Sequence, residues 1–299
     1  MKKFSKYVFL IIILMLVVLF VIISNGKGFS GSYNQKQTLT VAKDGSGDYL
    51  SIQDAIDNID NGGTIIVFEG VYDESLTIPN TDISVVGTDK KKCIIENTTG
   101  KYKNAPIYAY GNFVLANLTV KMTLKNVCDW IPTYDSNNVL DTFPGYAIHI
   151  DHRILDEEDT MHFAKIVNCD FYSEAFPAAG VGINSNQTIE FVNCTFERNS
   201  IDSMYWADNW KGAFVVHCAG CEAMNEKLIL RNNQFFSNYG YAANFIMNFE
   251  GETGTELTAI NNSFWSEELQ SSDCVDYLKG KSKLNKNSAG NTAHVLNYE

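Results

Sequence analysis

Four segments of the chain repeat one short alternation of apolar and polar positions. They are IVNCDFYSE at 166–174, FVNCTFERN at 191–199, LRNNQFFSN at 230–238 and INNSFWSEE at 260–268. A fainter copy is LANLTVKMT at 115–123. Each places an aliphatic residue, then Asn, then a residue two positions before Phe or Val. β-Branched and aromatic residues with a period of two predict strands, and the 3.6-residue spacing of a helix is missing. Repetition at irregular spacing predicts a solenoid whose coils carry loops of differing length. One such coil is too short to bury its own apolar face. Stacking coils at about 4.8 Å buries a continuous core and pairs the backbones in parallel ladders. Asn117, Asn168, Asn193, Asn232 and Asn261 then stack as an asparagine ladder at one turn. The pattern predicts an all-β, single-stranded parallel β-helix.

A second strand aligns upstream of each Asn strand: IYAY (107–110), IHID (148–151), VGIN (181–184), FVVH (214–217) and FIMN (245–248). Side chains alternate across a strand, so the first and third positions point inward and the second and fourth outward. One outward column reads Tyr108, His149, Gly182, Val215, Ile246; the other reads Tyr110, Asp151, Asn184, His217, Asn248. The second column is polar in every coil after the first, and Gly182 leaves room beside it. Carboxylate, amide and imidazole groups on a flat face supply directed hydrogen bonds to sugar hydroxyls, with Tyr rings for the apolar face of a pyranose. The competing reading is an ordinary solvated sheet surface. Two insertions bring further aromatics: 127–145 carries Trp130, Tyr134 and Phe143, and 199–212 carries Tyr205, Trp206, Asp208 and Trp210. Insertions on one side of a solenoid commonly form binding walls. Equally, Trp206 and Trp210 could simply cover the core.

The N-terminus changes the picture of where this solenoid works. Lys2, Lys3 and Lys6 precede an unbroken apolar run from Val8 to Ile23. That is a basic region followed by a hydrophobic segment, either an uncleaved membrane anchor or a cleaved signal. The basic flank stays in the cytoplasm, which places the rest outside. Residues 1–30 are thus expected to be the anchor or signal, 31–37 a tether, and 38–299 the β-helix domain. The expected location is the cell membrane, single-pass with the β-helix outside, or secreted after cleavage.

A formal net charge of -12 argues against nucleic acid as a partner and favours a neutral or esterified glycan. Of seven cysteines, Cys169 and Cys194 occupy the same place in two repeats and read as stacked small apolar side chains. Cys218 and Cys221 form a C-x-x-C without a second ligand pair, so no metal and no cofactor is expected; a disulfide between them stays open.

Residues 38–88 contain TLTVAKDGSGDYLSIQDAIDNI, GGTIIVFEGVYDESLTIP and DISVVGTD. This stretch resembles the opening of the pectin methylesterase family, whose V-A-x-D-G-S-G-D-[FY]-x-[TS]-I-x-x-A-I motif builds a cap helix and first coil. Here the motif runs from Val41 to Ile56, and the family's G-x-Y-x-E segment falls at Gly70 to Glu74. GNFVLANLTVKM (111–122) is similar to the next coil. The residues agree with the resemblance: Ser51 can cap a helix from Ile52 to about Ile59, with Ile52, Ala55, Ile56 and Ile59 on one face. The resemblance implies a right-handed, pectin-lyase-like β-helix. It also implies an acid Asp in a Q-D-T-L motif, a nucleophilic Asp in a D-F-I-F-G motif, an orienting Arg and oxyanion-stabilising Gln residues. After Cys169 this chain reads FYSEAFPAAGVGI, and after Cys194 it reads TFERNSIDSMYW. Asp202 lies one residue from the nucleophile position without its flanking motif, so no family catalytic residue falls on a matched position.

Two functions are compatible with this pattern. The first is a pectinesterase-like carbohydrate esterase, glycoside hydrolase or polysaccharide lyase acting on a neutral or esterified polysaccharide. Its candidate groups are His149, Asp151, His217 and Asp208, with substrate held by Tyr108, Tyr110, Gly182, Asn184, Asn248, Trp206 and Trp210. Asp151 and His217, two coils apart at about 10 Å, are too far apart for direct nucleophile–base contact but compatible with groups flanking a substrate and a water. His149 and Asp151 are neighbours along one strand face. The second is a non-catalytic glycan-binding or cell-envelope surface protein using the same face. A monomer is expected in either case.

Overall fold

The computed structural model describes residues 36–97, 105–123, 146–150, 161–174, 177–183, 186–199, 212–219, 226–238, 240–244, 256–267, 275–276, 283–284 and 290–295. The expected anchor, residues 1–30, lies outside them, as does the tether up to residue 35. No helix among the described residues is long and apolar enough to cross a membrane.

Three parallel sheets run along a right-handed β-helix, and the chain visits them in turn. The first face comprises Thr38–Val41, Thr64–Val67, Ile83–Gly87, Phe113–Ala116, His162–Val167, Gln187–Val192, Lys227–Arg231, Glu256–Ile260 and Lys283–Leu284. The second comprises Gly70–Tyr72, Cys93–Asn97, Thr119–Met122, Asp170–Ser173, Thr195–Arg198, Gln234–Ser237, Ser263–Ser266 and Thr292–Val295. The third comprises Leu76–Ile78, Ile107–Ala109, Ile148–Ile150, Ala179–Ile183, Phe214–Ala219, Ala243–Asn244 and Val275–Asp276. Alternation sends Ile, Leu, Val and Phe inward from all three faces into one core. Inside the second face Phe171, Phe196, Phe235 and Phe264 stack in sequence, with centroids 5.3, 5.0 and 4.7 Å apart and planes within 10° of parallel.

The turn from first to second face explains the repeated asparagine. Asn117, Asn168, Asn193, Asn232 and Asn261 all have positive φ, between 51° and 55°, and Gly290 takes over the position in the last coil. Asn tolerates this left-handed conformation better than other non-glycine residues, because its short amide bonds locally. The Asn168 amide donates to Asn117 Oδ1 at 2.7 Å. One residue further on, the inward column runs Leu118, Cys169, Cys194, Asn233, Asn262. It is apolar in the early coils and amide in the later ones. Asn233 donates to Asn262 Oδ1 (3.0 Å) and to the Phe191 carbonyl (3.0 Å); Asn262 donates to Asn291 Oδ1 (2.9 Å) and to the Leu230 carbonyl (3.0 Å). These buried amides are satisfied only by the next coil and the backbone. Cys169 and Cys194 are free and buried, as their repeat position suggested. Burial pushes the Cys194 thiol up to about 12 and raises Cys169 well above the usual thiol range, so both are unreactive core groups.

The N-terminal end is closed by a helix, Ile52–Asn58, which buries Ile52, Ala55 and Ile56. Ser51 is its N-cap and accepts from Asp54 N. The decisive partner comes from the next coil. The Glu74 carboxylate accepts from Ser51 Oγ (2.9 Å), Ile52 N (2.9 Å) and Gln53 N (3.1 Å), satisfying the first amides of the helix with a full negative charge. Lys43 sits 3.6 Å from Glu74 and over the ring of Tyr72, whose buried hydroxyl donates to the Phe68 carbonyl at 2.9 Å. The two sequence motifs of this region are therefore one hydrogen-bonded lock. Replacing Glu74 with Ala should cost about 2–3 kcal/mol, since it leaves charge-assisted caps unmade. Urea unfolding would measure the loss, and Glu74→Gln should restore part of it.

The outer edge of the first strand is closed by a side chain. Asp48 accepts from Thr40 N (2.8 Å) and Thr40 Oγ1 (2.7 Å), and these bonds hold its carboxyl below the usual Asp range. A carboxyl with a lowered folded-state pKa stabilises above its unfolded value and loses that contribution as pH falls through the folded one. The stability difference between wild type and Asp48→Ala should therefore be constant above about pH 5 and shrink below about pH 3.8. Because Asp48 is exposed, the difference should stay under about 1 kcal/mol. Thermal unfolding across that pH range would measure it.

Candidate functional site on the third face

The third face is built from short strands, and its backbone register decides which side chains meet. Ile148–Ile150 pairs with Ile107–Ala109, so His149 lies beside Tyr108 as the alternation implied. On its other side the register differs by two residues from the sequence expectation. His149 pairs with Gly180, and Gly180 with Val215. Phe214 pairs with Ala243 and Val215 with Asn244. The outward column is thus Tyr108, His149, Gly180, Val215, with Asn244 at the next paired backbone position.

Four buried alanines mark this register. Ala147, Ala178, Ala213 and Ala242 each precede a third-face strand, and their carbonyls bind the adjacent coil. Aligning YAI, PAA, GAF and YAA on these alanines gives the observed pairing. The strand-based alignment missed it because the Ala- and Gly-rich segment carries little size information, and such strands specify register weakly.

Several proposed groups need correction on this basis. Gly182 is buried and pairs with Cys218, so it does not open space beside His149. The strand expected over 245–248 lies outside the described residues; the described third-face strand of that coil is Ala243–Asn244. His217 is in the strand Phe214–Ala219 but falls at a β-bulge, as the extra residue between Val216, opposite Val181, and Cys218, opposite Gly182. Val215 is fully buried although it faces away from the core. Asp151, Asn184, Trp206, Asp208, Trp210 and Asn248, and the side chain of His217, lie outside the described part of the chain.

What the described residues do bring together is an aromatic and imidazole cluster. Tyr108 meets His149 edge-on, with centroids 5.3 Å apart and planes at 78°; Tyr110 lies 6.2 Å from Tyr108. All three are half-buried. Tyr146, which precedes this strand, packs its ring 4.9 Å from His149. Its place depends on Gly180: a Cβ there would come within 2.6–2.8 Å of three Tyr146 ring atoms. Burial raises the Tyr146 phenol pKa strongly, and the Arg198 cation opposes that shift. Arg198 is itself buried and donates to the Gly212 carbonyl at 3.4 Å, at the corner where the chain enters the next third-face strand. The site therefore has an imidazole that can carry a proton, Tyr rings for a sugar face, and a buried cation at one corner. Neither Tyr146 nor Gly180 was among the residues proposed from the sequence. Among the described residues no cluster of His, Cys, Asp and Glu could hold a metal ion.

Comparison with known proteins bears on this geometry. Residues 38–129 match the family model named Pectinesterase. That stretch takes in the cap helix, the Glu74 lock, and the Ile107–Ala109 strand that carries Tyr108. A probable pectinesterase/pectinesterase inhibitor 17 of Arabidopsis thaliana is 31% identical over 101 residues, 31% of this chain and 20% of that protein. A second, number 13, is 23% identical over 288 residues, 88% of this chain and 45% of that protein. The chain thus spans less than half the length of these relatives. The pectin methylesterase PemA from Erwinia chrysanthemi superposes with a TM-score of 0.49 at 15% identity, covering 80% of this chain and 68% of that one. The carrot pectin methylesterase gives 0.44 at 12%, covering 90% and 91%. Over residues 38–129 the resemblance seen in the motifs is confirmed. In the described residues, the segments after Cys169 and Cys194 begin as the second-face strands Asp170–Ser173 and Thr195–Arg198.

Gly180 should tolerate no side chain while Tyr146 keeps its place. Gly180→Ala is expected to destabilise by about 1–3 kcal/mol, the usual cost of overpacking. Combined with Tyr146→Ala the costs should be clearly non-additive, which a double-mutant cycle in urea would show.

Proposed function

We propose that this chain is a pectinesterase-like protein that works outside the cytoplasmic membrane on a neutral or methyl-esterified polysaccharide. The polysaccharide lies along the third face, and the chain hydrolyses its esters there. The observation that carries this reading is the in-register pair Tyr108–His149, flanked by Tyr110 and Tyr146, on the face reached directly from the pectinesterase-like coils. Tyr108 and Tyr110 present rings to a pyranose, and His149 transfers a proton. Asp151, two residues further on, is the nearest carboxylate in sequence. His217 and Asp208 are the further catalytic candidates, with Asn184, Asn248, Trp206 and Trp210 as the substrate-binding candidates. The net charge of -12 favours an esterified over a free uronate polymer, because free carboxylates would be repelled. The apolar run from Val8 to Ile23, with lysines before it, supports an anchor or a secretion signal.

A second reading rests on a specific observation. The stretches after Cys169 and Cys194 lack the acid and nucleophile motifs of pectin methylesterases. On that reading the same face binds glycan without turning it over.

Methanol release from methyl-esterified homogalacturonan separates the two. The esterase reading expects release by the wild type and a loss of about 10²-fold or more in His149→Ala, the scale of a missing proton-transfer group. Tyr108→Ala should weaken binding by about tenfold. Binding without release of methanol, acetate or unsaturated sugar would establish the non-catalytic reading. Absence of both binding and release would remove the polysaccharide proposal.

A further inference from the structure

The outer sides of the first and second faces treat charge differently. On the first face the outward charges answer one another. Glu190 lies 3.2 Å from Lys165 and 3.3 Å from Arg231, and Glu256 lies 3.9 Å from Lys227. On the second face the register aligns Lys121, Tyr172, Glu197, Phe236 and Trp265 in successive coils. They alternate with buried neighbours along each strand, so all five point outward. Phe236 and Trp265 stack at 4.5 Å with planes 5° apart. Trp265 thus covers one face of the Phe236 ring, and the other face is turned toward the Glu197 coil. On the far side of Glu197 stands Tyr172. Its hydroxyl accepts from the Asn199 amide at 3.4 Å and donates to Glu174 at 3.4 Å.

Glu197 is exposed, and Tyr172 and Phe236 beside it are only partly buried. Among the described residues Glu197 has no ion pair and no hydrogen bond. The nearby cations are placed elsewhere. Lys90 is bound to Asp170 at 2.9 Å, and Lys121 lies beyond Tyr172, two coils from Glu197. Partial burial and the Asp170 carboxylate raise the Glu197 pKa, as expected where no cation compensates. Two aromatic side chains two coils apart, at about 10 Å, therefore flank a free carboxylate. Ring faces attract an organic cation and a carboxylate neutralises it.

We propose that Tyr172, Glu197 and Phe236 bind an ammonium-bearing sugar, so that the second face takes a glycan with unsubstituted amino groups. Thr195, Gln234 and Ser263 form the adjacent outward column and offer hydroxyl and amide partners to the sugar. The strands of these coils are paired on both sides, so a peptide finds no open edge there. Asp170, Glu174 and Glu197 repel a polyuronate, and N-acetylation of an amino sugar removes both the ion pair and the cation–ring contact. The site lies on a different face from His149 and does not depend on the third-face reading.

The test measures binding of the full chain by calorimetry to three probes: hexaglucosamine, its fully N-acetylated form, and hexalysine. The wild type should bind hexaglucosamine at least about tenfold more tightly than the acetylated form, the scale of one such cation contact. Glu197→Gln should abolish most of that preference, and Phe236→Leu, which removes the ring and keeps an apolar side chain, should reduce it. Glu256→Gln removes one negative charge from the first face and should leave the preference unchanged. Circular dichroism checks that each variant is folded. Equal binding of the two sugars, or no binding of either, overturns the proposal. So does an unchanged preference in Glu197→Gln or Phe236→Leu, or an equal loss in Glu256→Gln. Tighter binding of hexalysine than of hexaglucosamine overturns the sugar in favour of a basic peptide.

Discussion

Among the described residues, every strand of this solenoid takes its ladder hydrogen bonds from a neighbouring coil. A strand of two to six residues gains nothing by forming alone, because its partner lies one turn away in space and up to 51 residues away in sequence. The cost of ordering a coil is recovered only when its inward side chains meet those of the next one. That constraint explains the monotony of the interior. Four phenylalanines stack inside the second face because each supplies a flat surface matching its neighbour. It also explains why a polar group can stand in the core. Asn233 and Asn262 are acceptable there because the coil above presents another amide at the same height, while a carbonyl of the preceding coil accepts the remaining proton.

The same constraint divides the labour among the faces. The first and second faces meet at a two-residue turn held by left-handed asparagines, so they keep their register through coil after coil. In the sequence, the two aromatic insertions fall between a second-face strand and a third-face strand, and the third-face strands Ala179–Ile183 and Ala243–Asn244 are rich in alanine and glycine. A site built from aromatic rings and an imidazole sits on the side where local irregularity disturbs the ladders least.

Most of the architecture was legible in the residues because it repeats. Asparagine in one recurring position marked a turn, and the residue three places on marked an inward aromatic. The cap helix was legible through Ser51 and the spacing of Ile52, Ala55 and Ile56. The candidate site was only partly legible. Tyr108 and His149 were placed correctly, since both follow an isoleucine in similar short strands. Beyond them the pairing slipped by two residues, because the segment from Ala178 to Ile183 matches its neighbours almost equally well in either position. The bulge at His217 has no local signal in an unbroken apolar strand. The filling of the Gly180 hollow by Tyr146 was hidden for a different reason: it joins residues 34 apart through the outer surface, where periodicity is silent.

The way Glu74 starts the cap helix has a consequence for the order in which the molecule is made. The helix precedes its own capping carboxylate in the chain, so a ribosome releases the plug before the group that secures it. Until Glu74 arrives, the first amides of the seven-residue helix lack their charged acceptor, and a helix so short does not persist unaided. Closure of the N-terminal end must therefore wait for the following turn of the solenoid. Assembly begins with a pair of windings, and the lid is fitted afterwards.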